Sequence, residues 1–393
     1  MSWVRILKKS EKGSITLMVL TAMIFVLVVI TASYLAISNK SGNQDRKISK
    51  IAQQYRASDE EMEQEYQKAL NNVTNLTIEQ ARSESMLNRK INTEVTDSYG
   101  NKIIVPAGFK VTEDAENVTE GIVVEDKDGN QFVWVPVGTG TNAIKKEDGA
   151  TVDIKLSRYT FTADGTATDQ EDKVIDSYYQ ELVESDYGNT TAKDIEAFKN
   201  SVNTNHGYYI GRYEVGVTGY DSVITSNSNS ETNWTGYEGE NIKLVCKTGQ
   251  QVWNYVTQNK ASELSRNMYT SSKFTSDLIN SYAWDTAIVF IQTFSEDTNY
   301  AKQTRLQSTL AKTGEASDGT NKDVKCNIYD MAGNTLEWST ETQTDDTYYC
   351  VSRGGVYNTT GKYVEYRSYQ GSATSAYNDL SFRLIVYLSL IHI

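Results

Sequence analysis

The stretch Asn327-Ile-Tyr-Asp-Met-Ala-Gly-Asn-Thr-Leu-Glu-Trp338 joins the composition of a tight turn to that of a strand. The Ala-Gly-Asn segment that ends at Asn334 is typical of a turn, because glycine and asparagine tolerate backbone angles that other residues avoid. After it, Leu336 and Trp338 alternate with Glu337. Side chains of a strand point alternately to its two faces, so this stretch predicts a strand with one buried face and one acidic face.

Three arginine-containing pieces follow this stretch in a fixed order. They are Arg353-Gly354-Gly355, Tyr366-Arg367 and Ser381-Phe382-Arg383. Together with residues 327–338, they resemble the signature of the formylglycine-generating enzyme (sulfatase-modifying factor) family, whose domain has a C-type-lectin-like fold. Val356 and Ser381 stand where the family usually has Ser and Gly. The segments Phe132–Pro136, Gly207–Glu214 and the helix around Trp284 are similar to further pieces of the same domain.

The resemblance covers residues 121–388 and implies an α+β fold with little regular secondary structure. Trp338, Arg353, Gly354, Gly355, Arg367 and Arg383 are its structural signature. Arginine forms bidentate hydrogen bonds to carboxylates and carbonyls, so we expect the three arginines to fix loops.

Enzymes of this family oxidise a substrate cysteine and bind copper through two cysteines of their own. Aligned on Arg353, those positions fall at Thr359 and Val364. Neither side chain can bind Cu(I) as a thiolate. We therefore expect no copper and no oxidase activity of that type, although a diverged active oxidase is an alternative.

Calcium is the metal that the resemblance implies. The family's structural Ca²⁺ ligands correspond to Asp330, Gly333, Thr335 and Glu337. Two carboxylates with backbone carbonyls make the hard oxygen cage that Ca²⁺ prefers. The alternative is that Asp330 caps the turn while Glu337 pairs with an arginine such as Arg353.

Residues 356–380 form a polar, tyrosine-rich segment. Thirteen of these 25 residues are Tyr, Asn, Ser or Thr, a composition typical of adaptable binding surfaces. The family's domain is known to display ligand-binding residues near this segment. The candidate ligand surface is Tyr357, Asn358, Tyr363, Tyr366, Tyr369 and Tyr377; an ordinary polar loop is the alternative.

The cysteines and histidines offer little other chemistry. Cys246, Cys326 and Cys350 are too widely spaced for a zinc motif, and a Cys326–Cys350 disulfide or simple burial both stay open. Two histidines, His206 and His392, are too few for the three-histidine iron site of a second branch of the wider family.

The N-terminus predicts a membrane helix. Residues 14–38 carry no charge and are long enough to span a bilayer, whereas signal peptides have shorter apolar regions. The preceding residues 1–13 are basic, which places the N-terminus in the cytoplasm and the C-terminal domain outside the cell. Lys12 to Leu17 resembles the leader of type IV prepilins and pseudopilins, with cleavage between Gly13 and Ser14. Met18 replaces the usual Glu, and a plain signal anchor is an equal alternative.

Between the two ends, residues 39–95 predict a helical stalk and residues 96–120 a linker. Sevenfold apolar spacing supports the stalk, and a solvated single helix is the alternative. The net charge of −13 argues against a nucleic-acid partner. We therefore expect a single-pass bacterial surface or pilus-associated protein, anchored in the cell membrane by residues 14–38. Its inactive domain would bind an extracellular ligand or a protein partner, such as pilus or secretion-filament subunits; a minor pilin-like structural subunit is the alternative.

Overall fold

Antiparallel strands dominate the architecture of the chain. The computed structural model describes residues 76–170, 179–181, 192–220, 241–343, 350–371, 373 and 375–389, with only the backbone described at 179–181, 342–343 and 369–371. Within these ranges Leu76–Leu390 form one compact unit.

The strands are short and follow one another closely. In chain order they are β1 (Leu76–Thr77), β2 (Thr93–Thr96), β3 (Lys102–Val105), β4 (Phe109–Val111), β5 (Val123–Asp126), β6 (Gln131–Pro136), β7 (Ile144–Lys145), β8 (Thr151–Val152), β9 (Tyr159–Phe161), β10 (Ala167–Asp169), β11 (Tyr179–Glu181), β12 (Gly207–Gly211), β13 (Gly216–Thr218), β14 (Lys243–Val245), β15 (Gln251–Val252), β16 (Phe274–Leu278), β17 (Val324–Lys325), β18 (Ile328–Tyr329), β19 (Leu336–Gln343), β20 (Cys350–Arg353), β21 (Arg367–Gly371), β22 (Leu380–Phe382) and β23 (Leu384–Leu388).

The helices of the described residues are few. They are α1 (Ile78–Ala81), α2 (Ile195–Asn205), α3 (Gln258–Asn267) and α4 (Ser281–Phe294), with 3₁₀ turns at Glu84–Asn88, Val118–Glu120, Gly140–Asn142 and Tyr300–Lys302. Each of the three longer helices begins after a residue whose side chain caps a backbone N–H: Asp194, Thr257 and Asn280.

Two sheets organise the unit. The larger has the order β16-β23-β12-β6-β5-β4, and all its neighbours are antiparallel. The other has the order β11-β19-β20-β21, with β22 parallel to β19. Strands β22 and β23 belong to different sheets and are separated in sequence by Arg383 alone, so this arginine lies where the chain crosses between the sheets.

A hairpin of the larger sheet turns at Gly129. Strands β5 and β6 pair across it, and Gly129 has a φ of +81°, a left-handed conformation that glycine adopts without strain. The carboxylate of Asp126 accepts hydrogen bonds from Asp128 N and Asn130 N and so closes the turn.

The expected fold class, α+β with a transmembrane helix and a helical stalk, is wrong. The described residues are mostly β-structure, and no helix among them is long and apolar enough to cross a membrane. Residues 76–120, which we expected in stalk and linker, form strands and short turns of the compact unit. Their apolar residues, such as Val95 and Ile103, pack in pairs across β2 and β3. The predicted leader with Gly13 and Ser14, the helix 14–38 and the stalk up to residue 75 lie outside the described residues.

Candidate functional site

The signature loop, residues 327–338, turns through backbone conformations that few residues adopt. Asn327, Asp330 and Asn334 all have φ values near +60°, which asparagine and aspartate tolerate better than most side chains. Trp338 is buried and donates from Nε1 to the carbonyl of Val256, 2.9 Å away. The expected acidic outer face of this strand does not exist, because Glu337 is as buried as Trp338.

Glu337 is buried because Arg383 reaches it from the crossing between the sheets. Arg383 Nε donates to Glu337 Oε2 at 2.8 Å, and its NH2 donates to Oε1 at 2.5 Å. The same guanidinium donates to the carbonyls of Gly211 and Tyr329. Arg383 thus joins both sheets to the signature loop. This agrees with the prediction that the arginines fix loops.

Three more buried carboxyls surround this pair. Glu214 accepts from Asn334 Nδ2 at 2.6 Å and from Thr335 N at 3.0 Å. Asp330 accepts from Gly314 N, and Asp323 accepts from Ala332 N and from the hydroxyl of Tyr300. Each carboxyl therefore holds a different backbone segment in place.

One arginine does not balance four carboxyls, and their protonation reflects this. Burial, together with the nearby Glu337, raises the pKa of Glu214 to about 8. Burial also raises the pKa of Asp330 far above its ordinary value, and Glu214 and Asp323 add to the effect. The pKa values of Asp323 and Glu337 are raised as well, mainly by burial. The cluster therefore holds protons that free carboxyls would lose.

Two of the four predicted calcium ligands, Thr335 and Glu337, already make hydrogen bonds within the protein. Both carboxylate oxygens of Glu337 accept from Arg383, and the hydroxyl of Thr335 donates to Glu214. In the described part of the chain, no group of three or more His, Cys, Asp or Glu side chains is placed to hold a metal ion. Calcium binding at Asp330, Gly333, Thr335 and Glu337 stays a prediction, which a rise in melting temperature on adding Ca²⁺ to metal-free protein would support.

A second buried charge network lies around Arg353. Its NH2 donates to Asp285 Oδ1 at 2.5 Å, and Arg367 NH2 donates to Asp285 Oδ2 at 2.6 Å. Glu341 accepts from Arg367 Nε at 3.0 Å and from Arg353 at 3.5 Å. Burial of Asp285 is outweighed by the two arginines, so the pKa of Asp285 is lowered. Two arginines and two carboxylates here neutralise one another.

The glycines after Arg353 permit close backbone packing. A Cβ atom at Gly355 would lie 2.0 Å from the carbonyl oxygen of Ala332, and one at Gly354 would lie 2.8 Å from that of Met331. Neither distance leaves room for a side chain. The Arg-Gly-Gly segment therefore lies directly against the signature loop.

The residues considered for redox and nucleophilic chemistry are poorly placed for it. Val364 is buried and Thr359 is exposed, with its hydroxyl bonded to Asn358. The three thiols are free, and burial raises their pKa values to about 11 for Cys246 and about 12 for Cys326 and Cys350. Protonated thiols are weak nucleophiles and weak metal ligands. His206 ends helix α2 at a φ of +60°.

A groove of about 500 Å³ opens beside the signature loop. Its lining is uncharged and polar apart from one carboxylate and one leucine: Leu306, Gln307, Ser308, Ser317, Asp318, Gly319, Tyr357 and Asn358. Asp318 accepts a hydrogen bond from Arg305 at 2.7 Å, so its negative charge is already paired. The groove thus presents hydroxyl and amide groups, an aromatic ring and one exposed apolar side chain.

Asn334 connects the segments that line the groove through hydrogen bonds. Its side-chain oxygen accepts from Gln307 Nε2 at 3.0 Å and from Ala311 N at 2.9 Å. Its backbone oxygen accepts from Tyr357 N at 2.9 Å. Gln307 then accepts from Ser317 N at 3.0 Å. All three lining segments are therefore connected to one buried amide.

The predicted ligand surface divides into three groups. Tyr357 and Asn358 line the groove, and Tyr363 is 37% exposed on the segment that follows. Tyr366 lies under Lys362, whose ammonium is 4.1 Å from the ring centre, and Tyr377 packs partly buried against the core. The side chain of Tyr369 lies outside the described residues.

Sequence reasoning missed the other two walls of the groove, residues 306–308 and 317–319. The second has a recognisable composition, Ser317-Asp318-Gly319, which is typical of a turn. Asp318 does close this turn, because its Oδ1 accepts from the backbone N of Thr320 and of Asn321. No pattern in the sequence brings that turn next to Tyr357.

No family model matches the chain, and no curated protein matches it. Among solved structures, the chain is similar to the crystal structure of CarF at 16% identity and a TM-score of 0.29, over 46% of this chain and 86% of that chain. It is similar to the M1 variant of Major Tropism Determinant at 12% identity and a TM-score of 0.30, over 80% of this chain and 98% of that chain. The P3c variant gives 12% identity and a TM-score of 0.29, over 80% and 99%. Scores this low indicate neither a shared family nor a shared function.

Proposed function

We propose that the unit Leu76–Leu390 is a catalytically silent scaffold of the formylglycine-generating-enzyme type that binds a ligand in the groove beside its signature loop. The observation that carries this proposal is the groove itself, because two of its lining residues, Tyr357 and Asn358, belong to the tyrosine-rich segment. The motif resemblance supports the proposed family, and the groove is the proposed binding site.

The lining favours binding over catalysis. Tyr, Ser, Gly and Asn side chains give a binding surface contact area and adaptable hydrogen bonds at low entropic cost. A volume of about 500 Å³ is within the range of ligand pockets, about 300–1,000 Å³. The charged residue in the lining, Asp318, forms an ion pair with Arg305. A ligand that is uncharged where it makes contact fits this surface best.

Catalytic silence is supported by the residues that replace the family's chemistry. Val364 is buried, and its carbonyl accepts from Trp284 Nε1 at 2.8 Å, so it is a structural position. The raised pKa values of the three thiols keep them protonated at neutral pH.

Two matched substitutions test the binding proposal. Asn358→Arg places a long charged side chain in the groove, and Asn142→Arg makes the same change at an exposed site outside its lining. The full chain and both variants are applied to arrays of neutral oligosaccharides and of peptides. We expect Asn358→Arg to lose at least tenfold in affinity for any bound probe and Asn142→Arg to lose none.

Equal binding by the two variants would contradict the groove as the site. The alternative of a diverged oxidase is tested separately, by incubating the chain with copper and a cysteine-containing peptide. Formylglycine in the product would contradict catalytic silence without bearing on the groove.

A further inference from the structure

Every segment that lines the groove is connected to Asn334, although Asn334 does not line it. This residue is fully buried in the signature loop. Its amide oxygen holds Gln307 and Ala311, and its backbone oxygen holds Tyr357. Gln307 N also donates to the Tyr357 carbonyl at 2.8 Å, so the lining segments at Gln307 and Tyr357 are bonded directly to each other as well.

The orientation of the Asn334 amide is fixed from the opposite side. Nδ2 donates to Glu214 Oε2 at 2.6 Å and to the Ala311 carbonyl at 3.3 Å. Rotating the amide by 180° would turn an N–H₂ group towards the N–H donors of Gln307 and Ala311. That rotation would lose four hydrogen bonds in a buried site, where unpaired polar groups are costly.

A series of hydrogen bonds therefore connects Glu214, which lies between strands β12 and β13, to the wall at Ser317–Gly319. Glu214 orients Asn334, Asn334 holds Gln307, and Gln307 Oε1 accepts from Ser317 N at 3.0 Å. Beyond Ser317 the wall consists of exposed turn residues that make local hydrogen bonds, such as Gly319 N to Ser317 Oγ, and one exposed ion pair, between Asp318 and Arg305.

We propose that Asn334 is a positioning residue that sets the width of the groove, holding the wall at Ser317–Gly319 at a fixed spacing from Tyr357 and Asn358. Its importance for ligand selection rests on the proposed binding function. The spacing itself does not, because it is a property of the free protein. Asn334 acts through Gln307 and has no contact with the groove volume.

The spacing can be measured without a ligand. Nitroxide labels on Thr320→Cys and Asn358→Cys stand on opposite sides of the groove, and both sites are exposed. A second pair, Lys127→Cys and Asn142→Cys, reports on the rest of the unit. Label uptake by the unsubstituted full chain is measured first, and its cysteines should take up little because their pKa values are raised.

The decisive variant is Asn334→Gly, with Asn327→Gly as its matched control. Both asparagines have a φ of +62°, which glycine accepts, and both lie in the signature loop. The Asn327 amide, however, donates to the carbonyl of Gly121, away from the groove. We expect Asn334→Gly to lengthen and broaden the distance distribution across the groove and to leave the second pair unchanged. Asn327→Gly should leave both distributions unchanged.

A second variant, Gln307→Met, keeps the experiment decisive if Asn334→Gly does not fold. It removes the hydrogen bonds that the Gln307 side chain makes to Asn334 and to Ser317. Gln307 is partly exposed. The proposal is overturned if the folded variants keep the native distribution, or if Asn327→Gly broadens it equally. Failure to bind any array probe would count against the proposed function and leave this distance result standing.

Discussion

The two buried charge clusters of this protein differ in their balance. Around Arg353, two arginines face two carboxylates, and each carboxylate touches both arginines. Around Arg383, one arginine faces Glu337, with three further carboxyls close by. Both clusters are buried and both fix loops, so their contrast isolates the effect of net charge.

The contrast teaches that the same residue types can be held in two ways. The balanced cluster neutralises its charges by pairing, and the pKa of Asp285 is lowered as a result. The unbalanced cluster neutralises its surplus with protons, and the pKa of Glu214 is raised to about 8. Stability should therefore depend on arginine pairing in both clusters, but near neutral pH it should depend on pH in only one of them.

The largest effect is expected from Arg383→Met. It leaves the buried carboxyl of Glu337 without its partner, and breaking a buried ion pair in this way costs about 3–5 kcal/mol of unfolding free energy. Arg353→Met should cost less, because Asp285 and Glu341 each keep Arg367. Urea denaturation of the two variants measures the difference. Equal losses would show that charge balance does not distinguish the clusters.

The next effect is a dependence on pH that belongs to Glu214. Its pKa rises from 4.5 to about 8 on folding, so the folded protein holds a proton that the unfolded chain has lost. The stabilisation is complete below pH 4.5 and is lost as pH rises to about 8. Relative to Glu214→Gln, the native chain should lose about 2.5 kcal/mol of unfolding free energy between pH 5.5 and 7.5.

The matched control for this pH effect is Asp285→Asn in the balanced cluster. A lowered pKa contributes stability that is present above the unfolded value of 3.8 and is lost only under more acidic conditions. The unfolding free energy that Asp285→Asn loses should therefore be the same at pH 5.5 and at pH 7.5. A parallel pH dependence in both variants would refute the distinction between pairing and protonation.

The smallest effect is expected where an ion pair faces water. Arg305 and Asp318 approach to 2.7 Å, but their side chains are 20% and 30% exposed. Exposed pairs contribute about 0–1 kcal/mol. Asp318→Asn should thus leave the unfolding free energy nearly unchanged, since Asn keeps an acceptor for the turn. A loss as large as that of Arg353→Met would mean that burial is not what separates these pairs.

The sequence predicted most of the local structure that surrounds the site. The turn at Asn334 and the burial of Trp338 follow from turn composition and from alternation along a strand, and the structure has both. The helix around Trp284, expected from the family resemblance, is present as α4. These features depend on residues within a few positions of one another. Local patterns therefore suffice to find them.

What the sequence could not predict depends on residues far apart in the chain. Glu337 alternates with apolar residues as an exposed side chain would, and only Arg383, 46 residues later, explains its burial. Residues 76–95 were expected to continue the helical stalk, yet they form only the four-residue helix α1, a 3₁₀ turn and strands β1 and β2, of which β2 pairs with the more distant β3. The groove joins residues 306–319 to Tyr357 through Asn334, a contact that has no local pattern.

The tight fit of Gly354 and Gly355 against the signature loop has a consequence for protein engineering. Because there is no room for a Cβ atom at Gly355, the backbone is clamped immediately before the groove residues begin. Sequence changes introduced at Asn358 or Thr359, which are exposed, start from a fixed anchor and need not shift the strands. Randomised libraries confined to the exposed residues Asn358 and Thr359 should retain the fold, whereas libraries that include residues 354 and 355 should yield mostly unfolded chains.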